Sequence, residues 1–576
     1  MDMFTYPHPE SLALSFGDES NPTCADRARC IRAGGSAPPI FLTHATYSHN
    51  YAFSLARRLD TDSPIYLLPA ESGNKFSRTI EGMATRMVRM IQAIQPVGPY
   101  RVAGHSFGGV LAYEIAAQLL GANQEVTFVG LLGTSYQPGV GCTEPQHFDD
   151  RKNLLDLIAE RSNQGQLHLT TTEVQSSPNI GFTELVKMYQ EQSMLPNPYD
   201  RMAAPQIREM LIRERHYFFA LRQYSAQPIQ LPIHCFMVQR EGEAVASTGW
   251  ETVVPESQIR ILPVPGTHES MVEDPHVAIL AQAFSNVIRQ SSSNSRQPRD
   301  ENCSPLIKLQ IGRHQAPALL CIPGAGANVT SFMELVAHLD NSLQIYGLQP
   351  RGQDGLLPPH ATVSSAVGYY LRAIDQIDSR VQLNLLGHSF GGWAAFELAQ
   401  TLLDIGRNVE SLTIVDSAAP DNHDAVSREY TMTDISMKWI ELLELMLERQ
   451  LTVHRSDFNS LDEHGQRRFL HKILLRESIL PNTSQPDILR GPLRTCAAAL
   501  RTSFTPDRIY AGPARLVLVD HPKLSRHANQ LKHKEIVETW KKWIPKLSVT
   551  HAPGNHLTLL KSPNVQKLAS LLQPRM

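Results

Sequence analysis

The chain has 576 residues, of which 19% are charged and 42% hydrophobic, and its net charge is -3. That length is more than one hydrophobic core supports, so two domains are expected; the near-neutral balance gives no footing for nucleic acid or for a membrane surface. Seven cysteines, odd in number and never spaced as C-x-x-C, argue against a disulfide framework or a zinc site.

Residues 1–27 read as an N-terminal extension. Met1 to Asp26 lacks a charged start followed by an apolar core, and no run reaches the roughly 18 apolar residues of a membrane span. A cytoplasmic protein is therefore expected. From residue 28 onward, apolar strand runs alternate with helical runs, the pattern of a mostly parallel sheet covered by helices on both faces. Pro38-Pro-Ile-Phe-Leu-Thr-His-Ala45 reads as a strand entering a loop. Tyr100-Arg-Val-Ala-Gly-His-Ser-Phe-Gly-Gly-Val110 reads as a strand, a sharp turn and the start of a helix. A long helical segment follows at about 140–228, then a strand run from Ile233 to Glu241 and a terminal Pro265-Gly-Thr-His268. The first domain is placed at 28–289. The polar, Ser-rich stretch 290–304 has no periodicity and reads as a linker.

Residues 305–576 repeat the plan in the same order. Pro317-Ala-Leu-Leu-Cys-Ile-Pro-Gly324 matches the early strand, Leu383-Asn-Leu-Leu-Gly-His-Ser-Phe-Gly-Gly-Trp393 the turn, and Pro553-Gly-Asn-His556 the ending. The second long insertion lies at about 421–510, where Trp439, Leu442, Leu443, Met446 and Leu447 fit helical spacing. Both insertions are expected to be helical lids. Four landmarks in one order make this a duplicated domain.

A Ser hydroxyl needs a base within hydrogen-bond reach and a geometry that exposes it. Gly-x-Ser-x-Gly between a strand and a helix supplies that geometry, the nucleophile elbow of the α/β-hydrolase fold. Ser106 and Ser389 are thus candidate nucleophiles, and His268 and His556 candidate bases, each on a loop after a short apolar run. His105 and His388, inside the elbows, read as shaping the turn or lying at the surface. The acid that fixes the imidazole tautomer is expected at Asp416, which ends the apolar run Leu412-Thr-Ile-Val.

The first domain breaks the pattern: Gly133 holds the position of Asp416. Either that domain has lost much of its catalytic power or its acid comes from the later strand, at Glu241 or Glu243, because this fold accepts Glu as well as Asp. Asp520 is the comparable residue of the second domain and reads as spare. The oxyanion holes are expected to use the backbone N–H groups of Phe107 and Phe390, with Ala45 and Gly324 as second donors. The second domain offers the open Pro323-Gly-Ala-Gly326 loop and the first the bulkier His44-Ala-Thr-Tyr47.

With these elbows, Gln95-Pro-Val-Gly-Pro-Tyr100, the lead-in Pro305-Leu-Ile-Lys-Leu-Gln310 and the Pro-Gly-x-His endings in view, the chain resembles the thioesterase domains of nonribosomal peptide and polyketide synthetases, and in particular tandem pairs of them. The resemblance covers about residues 28–290 and 304–574. It implies a substrate carried as a phosphopantetheine thioester on a carrier protein or upstream synthetase module, acyl transfer to Ser389 or Ser106, and release by hydrolysis or macrocyclisation. No carrier signature occurs in the chain, so the carrier is expected to come from another polypeptide or from a parent chain of which this is a segment, and no metal or organic cofactor is implied. An editing thioesterase, a carboxylesterase, and a first domain that only docks the carrier are the competing readings.

Overall fold

The computed structural model describes residues 27–43, 50–71, 77–137, 150–163, 181–195, 199–239, 247–291, 304–420 and 429–572. Residues 1–26, the linker after Ser291 and parts of both insertions lie outside these. So do Ala45, Glu241 and Glu243.

The first domain is built on a seven-stranded sheet: β1 Arg29–Arg32, β2 Ile40–Thr43, β3 Ile65–Leu68, β4 Tyr100–His105, β5 Val126–Leu132, β6 Ile233–Val238 and β7 Ile259–Val264. Its order is β1-β3-β2-β4-β5-β6-β7, with β1 antiparallel to β3 and the other pairs parallel. The second domain repeats it with β8 Leu306–Gln310, β9 Ala318–Ile322, β10 Gln344–Leu348, β11 Leu383–His388, β12 Val409–Val415, β13 Ala514–Leu518 and β14 Leu547–His551, in the order β8-β10-β9-β11-β12-β13-β14. Again only the first strand is antiparallel. Both halves have the α/β-hydrolase fold expected from the sequence.

The elbow strands β4 and β11 lie centrally and are buried almost throughout because helices cover both faces. Ile80–Ile94 and Phe107–Gly121 pack one face of the first sheet through residues such as Met83, Leu111 and Tyr113, while Leu55, Phe128 and Phe284 fill the other. Phe107–Gly121 is buried almost all round, which explains why it is apolar all round rather than striped.

The described parts of both insertions are helical and have cores of their own. In the second domain, Met432–Leu447, Glu463–Arg476 and Arg490–Arg501 enclose Ile435, Leu443, Phe458, Leu470 and Leu493. Of the expected stripe, Leu443 is buried, Trp439, Met446 and Leu447 pack against it, and Leu442 is only half-buried. The first insertion clusters Leu154, Leu185, Tyr199 and Ile207.

The domains also grip each other. Arg351 of the second domain donates to the Leu120 and Gly121 carbonyls at 3.1 Å each and to Asn123 Oδ1 at 2.7 Å. It thereby caps the carbonyl end of the first domain's elbow helix, where a cation is favoured by the helix dipole. Among the described residues no helix is long and apolar enough to cross a membrane.

Candidate active site

Both elbows have the backbone that the spacing demands. Ser106 and Ser389 have φ of 56° and 54°, a left-handed conformation that costs free energy for a residue with a Cβ and marks a site held by its surroundings. The flanking glycines are required by close approach. A Cβ on Gly104 or Gly387 would lie 2.1 Å from the Gly108 or Gly391 carbonyl oxygen. At Gly391 it would lie 2.3 Å from the Ile322 carbonyl oxygen, so this glycine lets the end of β9 close on the helix start. Phe107 begins one elbow helix and Phe390 is the N-cap of the other, where backbone N–H groups have no partner within the helix. The chain after β9 passes Ser389 at Gly324, whose added Cβ would sit 2.9 Å from Ser389 Cβ.

In the second domain His556 Nδ1 donates to Asp416 Oδ2 at 2.6 Å. Asp416 follows β12 directly, with φ of 42° and its N–H on the Val517 carbonyl at 2.7 Å. Burial pushes its carboxyl up, but the hydrogen bond and electrostatic attraction from His556 outweigh that and hold it below the usual range. The structure thus brings together Asp416 and His556, two of the residues singled out from the sequence. Ser389 Oγ makes no hydrogen bond to His556, a contact that in many hydrolases tightens only with substrate bound. Asp520 is well exposed and lies 3.9 Å from His533.

The first domain shows the complementary half. Ser106 Oγ and His268 Nε2 are hydrogen-bonded at 3.0 Å, but among the described residues no carboxylate hydrogen-bonds to His268 Nδ1. Gly133 takes the Asp416 conformation, with φ of 55° and its N–H on the Phe236 carbonyl at 2.8 Å. A Cβ there would lie 3.1 Å from His268 Nδ1 and 2.9 Å from Met271 Sδ. The fully buried Met271 therefore fills the space where the second domain keeps its acid. The pairing of β5 with β6 and of β12 with β13 puts Phe236 opposite Leu132 and Val517 opposite Val415. By that register Gln239 corresponds to Asp520, and Glu241 stands two residues further on.

The elbow histidines have a role that the sequence did not specify. His105 Nε2 donates to the His268 carbonyl at 3.0 Å, and His388 Nε2 to the His556 carbonyl at 2.9 Å. Burial, then the neighbouring histidine, lowers their pKa to about 4 and about 3, so both stay neutral and fix the base-bearing loop. Asn555 adds a second tether: its Nδ2 donates to the Leu445 carbonyl at 2.8 Å. Its Oδ1 accepts from the Leu557 and Thr558 N–H groups. The His556 turn is thereby tied to lid helix Met432–Leu447. The first domain has Thr267 at that place. The substitution of Thr for Asn between Gly and His was the available signal.

A Ser on a strained elbow, an imidazole held by a buried carboxylate and a backbone N–H at the start of the elbow helix can together accept an acyl group and release it to a second nucleophile. A family model of the thioesterase domain matches residues 38–287 and again 317–576. The chain belongs to the thioesterase domain family in both of its halves. Malpinin synthetase of Mortierella alpina is 26% identical over 269 residues, 45% of this chain and 3% of that protein. Atromentin synthetase of Tapinella panuoides is 32% identical over 130 residues, 22% of this chain and 12% of its own length. The chain thus spans a small part of the curated relatives it matches. Among solved structures, the Vlm2 thioesterase domain is 22% identical, covering 46% of this chain and 95% of its own, with a TM-score of 0.36.

Proposed function

We propose that the chain is a thioesterase that releases an acyl or peptidyl chain from the phosphopantetheine arm of a carrier protein or carrier domain, with Ser389, His556 and Asp416 as its principal triad. The observation that carries this reading is the His556–Asp416 hydrogen bond of 2.6 Å on a loop that faces the Ser389 elbow. In it, Ser389 attacks the thioester carbonyl as His556 takes its proton. The N–H groups of Phe390 and Gly324 stabilise the oxyanion, and His556 then returns the proton to the leaving thiolate. Asp416 holds the Nδ1–H tautomer throughout. Water or an internal nucleophile of the chain resolves the acyl-enzyme. Membership in the thioesterase family and the synthetase relatives support a thioester over an oxygen ester as substrate.

The first domain keeps a Ser106–His268 dyad with methionine in the place of the acid. Met271 beside Gly133 favours a slow site or a carrier-docking module, and Glu241 is the acid that would restore a full triad. Single turnover on a pantetheine-linked acyl thioester, comparing wild type with Ser106→Ala, Ser389→Ala and the double variant, tests the reading. Loss of turnover on Ser389→Ala alone supports it. Undiminished release by the double variant overturns it.

A further inference from the structure

The second insertion touches both the Ser389 site and the first domain, and one helix does both. On one side of Arg490–Arg501, Cys496 Cβ and the Pro492 carbonyl oxygen each lie 2.9 Å from where a Cβ on Gly326 would stand. Gln353 Nε2 links the same helix to the same loop, donating to the Ala327 carbonyl at 2.9 Å and to Thr495 Oγ1 at 3.0 Å. Two residues before Gly326 is Gly324, which lies against Ser389. There is no slack on this side, so a shift of the helix is transmitted to the loop rather than absorbed.

The other side is anchored by the first domain. Arg501, in the last turn, pairs with Glu81 Oε1 at 3.0 Å, with side chains only 18% and 11% exposed. Arg494 donates to the Ala226 carbonyl at 3.3 Å. Arg501 also donates to the Tyr430 carbonyl at 2.7 Å, which fixes the guanidinium so that the carboxylate meets it in one geometry. Glu81 is in the first turn of Ile80–Ile94, the end of a helix that favours negative charge. A pair so shielded is screened little by salt, and loss of one partner leaves the other charge poorly solvated.

Resting on the reading of Ser389 as nucleophile, we propose that Glu81 of the first domain is a positioning residue for the Ser389 site: through Arg501 it holds Arg490–Arg501 against the Pro323–Ala327 loop. The first domain then contributes to chemistry in the second whether or not Ser106 turns over. It follows that deleting the acid at 81 slows acylation of Ser389 with no residue near the nucleophile changed.

The test uses the full chain carrying Glu81→Gln, Glu81→Asp or Arg501→Met. Three quantities are measured: the rate at which a fluorophosphonate probe modifies Ser389, identified by peptide mass; kcat and KM on a pantetheine-linked acyl thioester; and amide exchange in 323–327 and 490–501. Glu81→Gln and Arg501→Met are expected to slow Ser389 labelling and kcat about tenfold, within the range by which remote substitutions alter coupled sites. KM should stay near the wild-type value, exchange should quicken in both segments, and Glu81→Asp should recover most of the rate. Arg501→Met approaches the pair from the second domain, so a folding defect confined to the first cannot mimic the result. Wild-type labelling and kcat in both variants overturn the proposal, even with faster exchange. A different pattern marks failure of the underlying reading: Ser389→Ala keeps its turnover and the probe leaves Ser389 unmodified, which overturns both.

Discussion

A carboxylate can be placed at Gly133, where the second domain has Asp416. Gly133 already has the positive φ of Asp416, and Asp is among the residues that tolerate that region. Its added Cβ lies 3.1 Å from His268 Nδ1, so a carboxylate at 133 is adjacent to the nitrogen that Asp416 serves in the other domain. The obstacle is Met271 Sδ, 2.9 Å from that Cβ. Leu559 is the matching residue of the second domain and is also fully buried, so Gly133→Asp with Met271→Leu reproduces the arrangement found beside Asp416. Loss of the triad acid costs about 10⁴ in kcat in serine proteases, or about 5.5 kcal/mol at 1.36 kcal/mol per decade, and this sets the ceiling. A transplanted acid without its tuned surroundings is expected to recover about 10² of it, since positional errors on the order of 1 Å cost that much. The assay is the rate of fluorophosphonate labelling at Ser106, together with single-turnover thioester cleavage, in a Ser389→Ala background. A folded double variant whose Ser106 labels no faster would refute the reasoning, because it would mean that the dyad is already served by another acid, Glu241 being the candidate.

Three further outcomes are expected. Asp416→Asn should lower kcat by about 10⁴ with KM little changed, the signature of an interaction made in the transition state; rapid-quench single turnover measures it. Gly387→Ala, which would put a methyl 2.1 Å from the Gly391 carbonyl oxygen, should destabilise the second domain by about 1–3 kcal/mol or more through overpacking, read as a lower urea midpoint. Burial and then the Glu81 charge raise the Glu114 carboxyl from 4.5 to about 7. Its contribution to stability is therefore full below about pH 4.5, falls as pH rises to about 7, and is lost above that. Glu114→Gln should flatten the decline of Tm across that window; an unchanged slope in a pH series of thermal melts would show that Glu114 does not titrate there.

The duplication, the two Gly-x-Ser-x-Gly turns, the two Pro-Gly-x-His endings and the acid at Asp416 are legible in the order of residues along the chain. These features rest on backbone constraints encoded in adjacent residues. A positive φ and a 2.1 Å approach of backbone to an absent Cβ force Gly-x-Ser-x-Gly wherever the turn occurs. An acid ending a buried strand is readable because sheet order then brings it to the Ser. The lack of an acid at Gly133 is equally plain from the sequence. Its consequence is not, because Met271 reaches that space from the far side of the His268 turn.

Contacts between segments far apart in the chain belong to the tertiary structure. His556 meets Asp416 from 140 residues away, and the neutral His388 holds the His556 loop across 168. Arg501 finds Glu81 in the other domain. No local periodicity encodes such pairings: one residue type, His, bonds a buried carboxylate at 556 and a backbone carbonyl at 388, and the surroundings that folding supplies decide between the two. Residue order thus selects the side chains able to do acyl-transfer chemistry, since the elbow and its partners are local backbone motifs. That Asp416 meets His556 while, among the described residues, Met271 lies beside Gly133 and His268, follows only from the packing of distant segments.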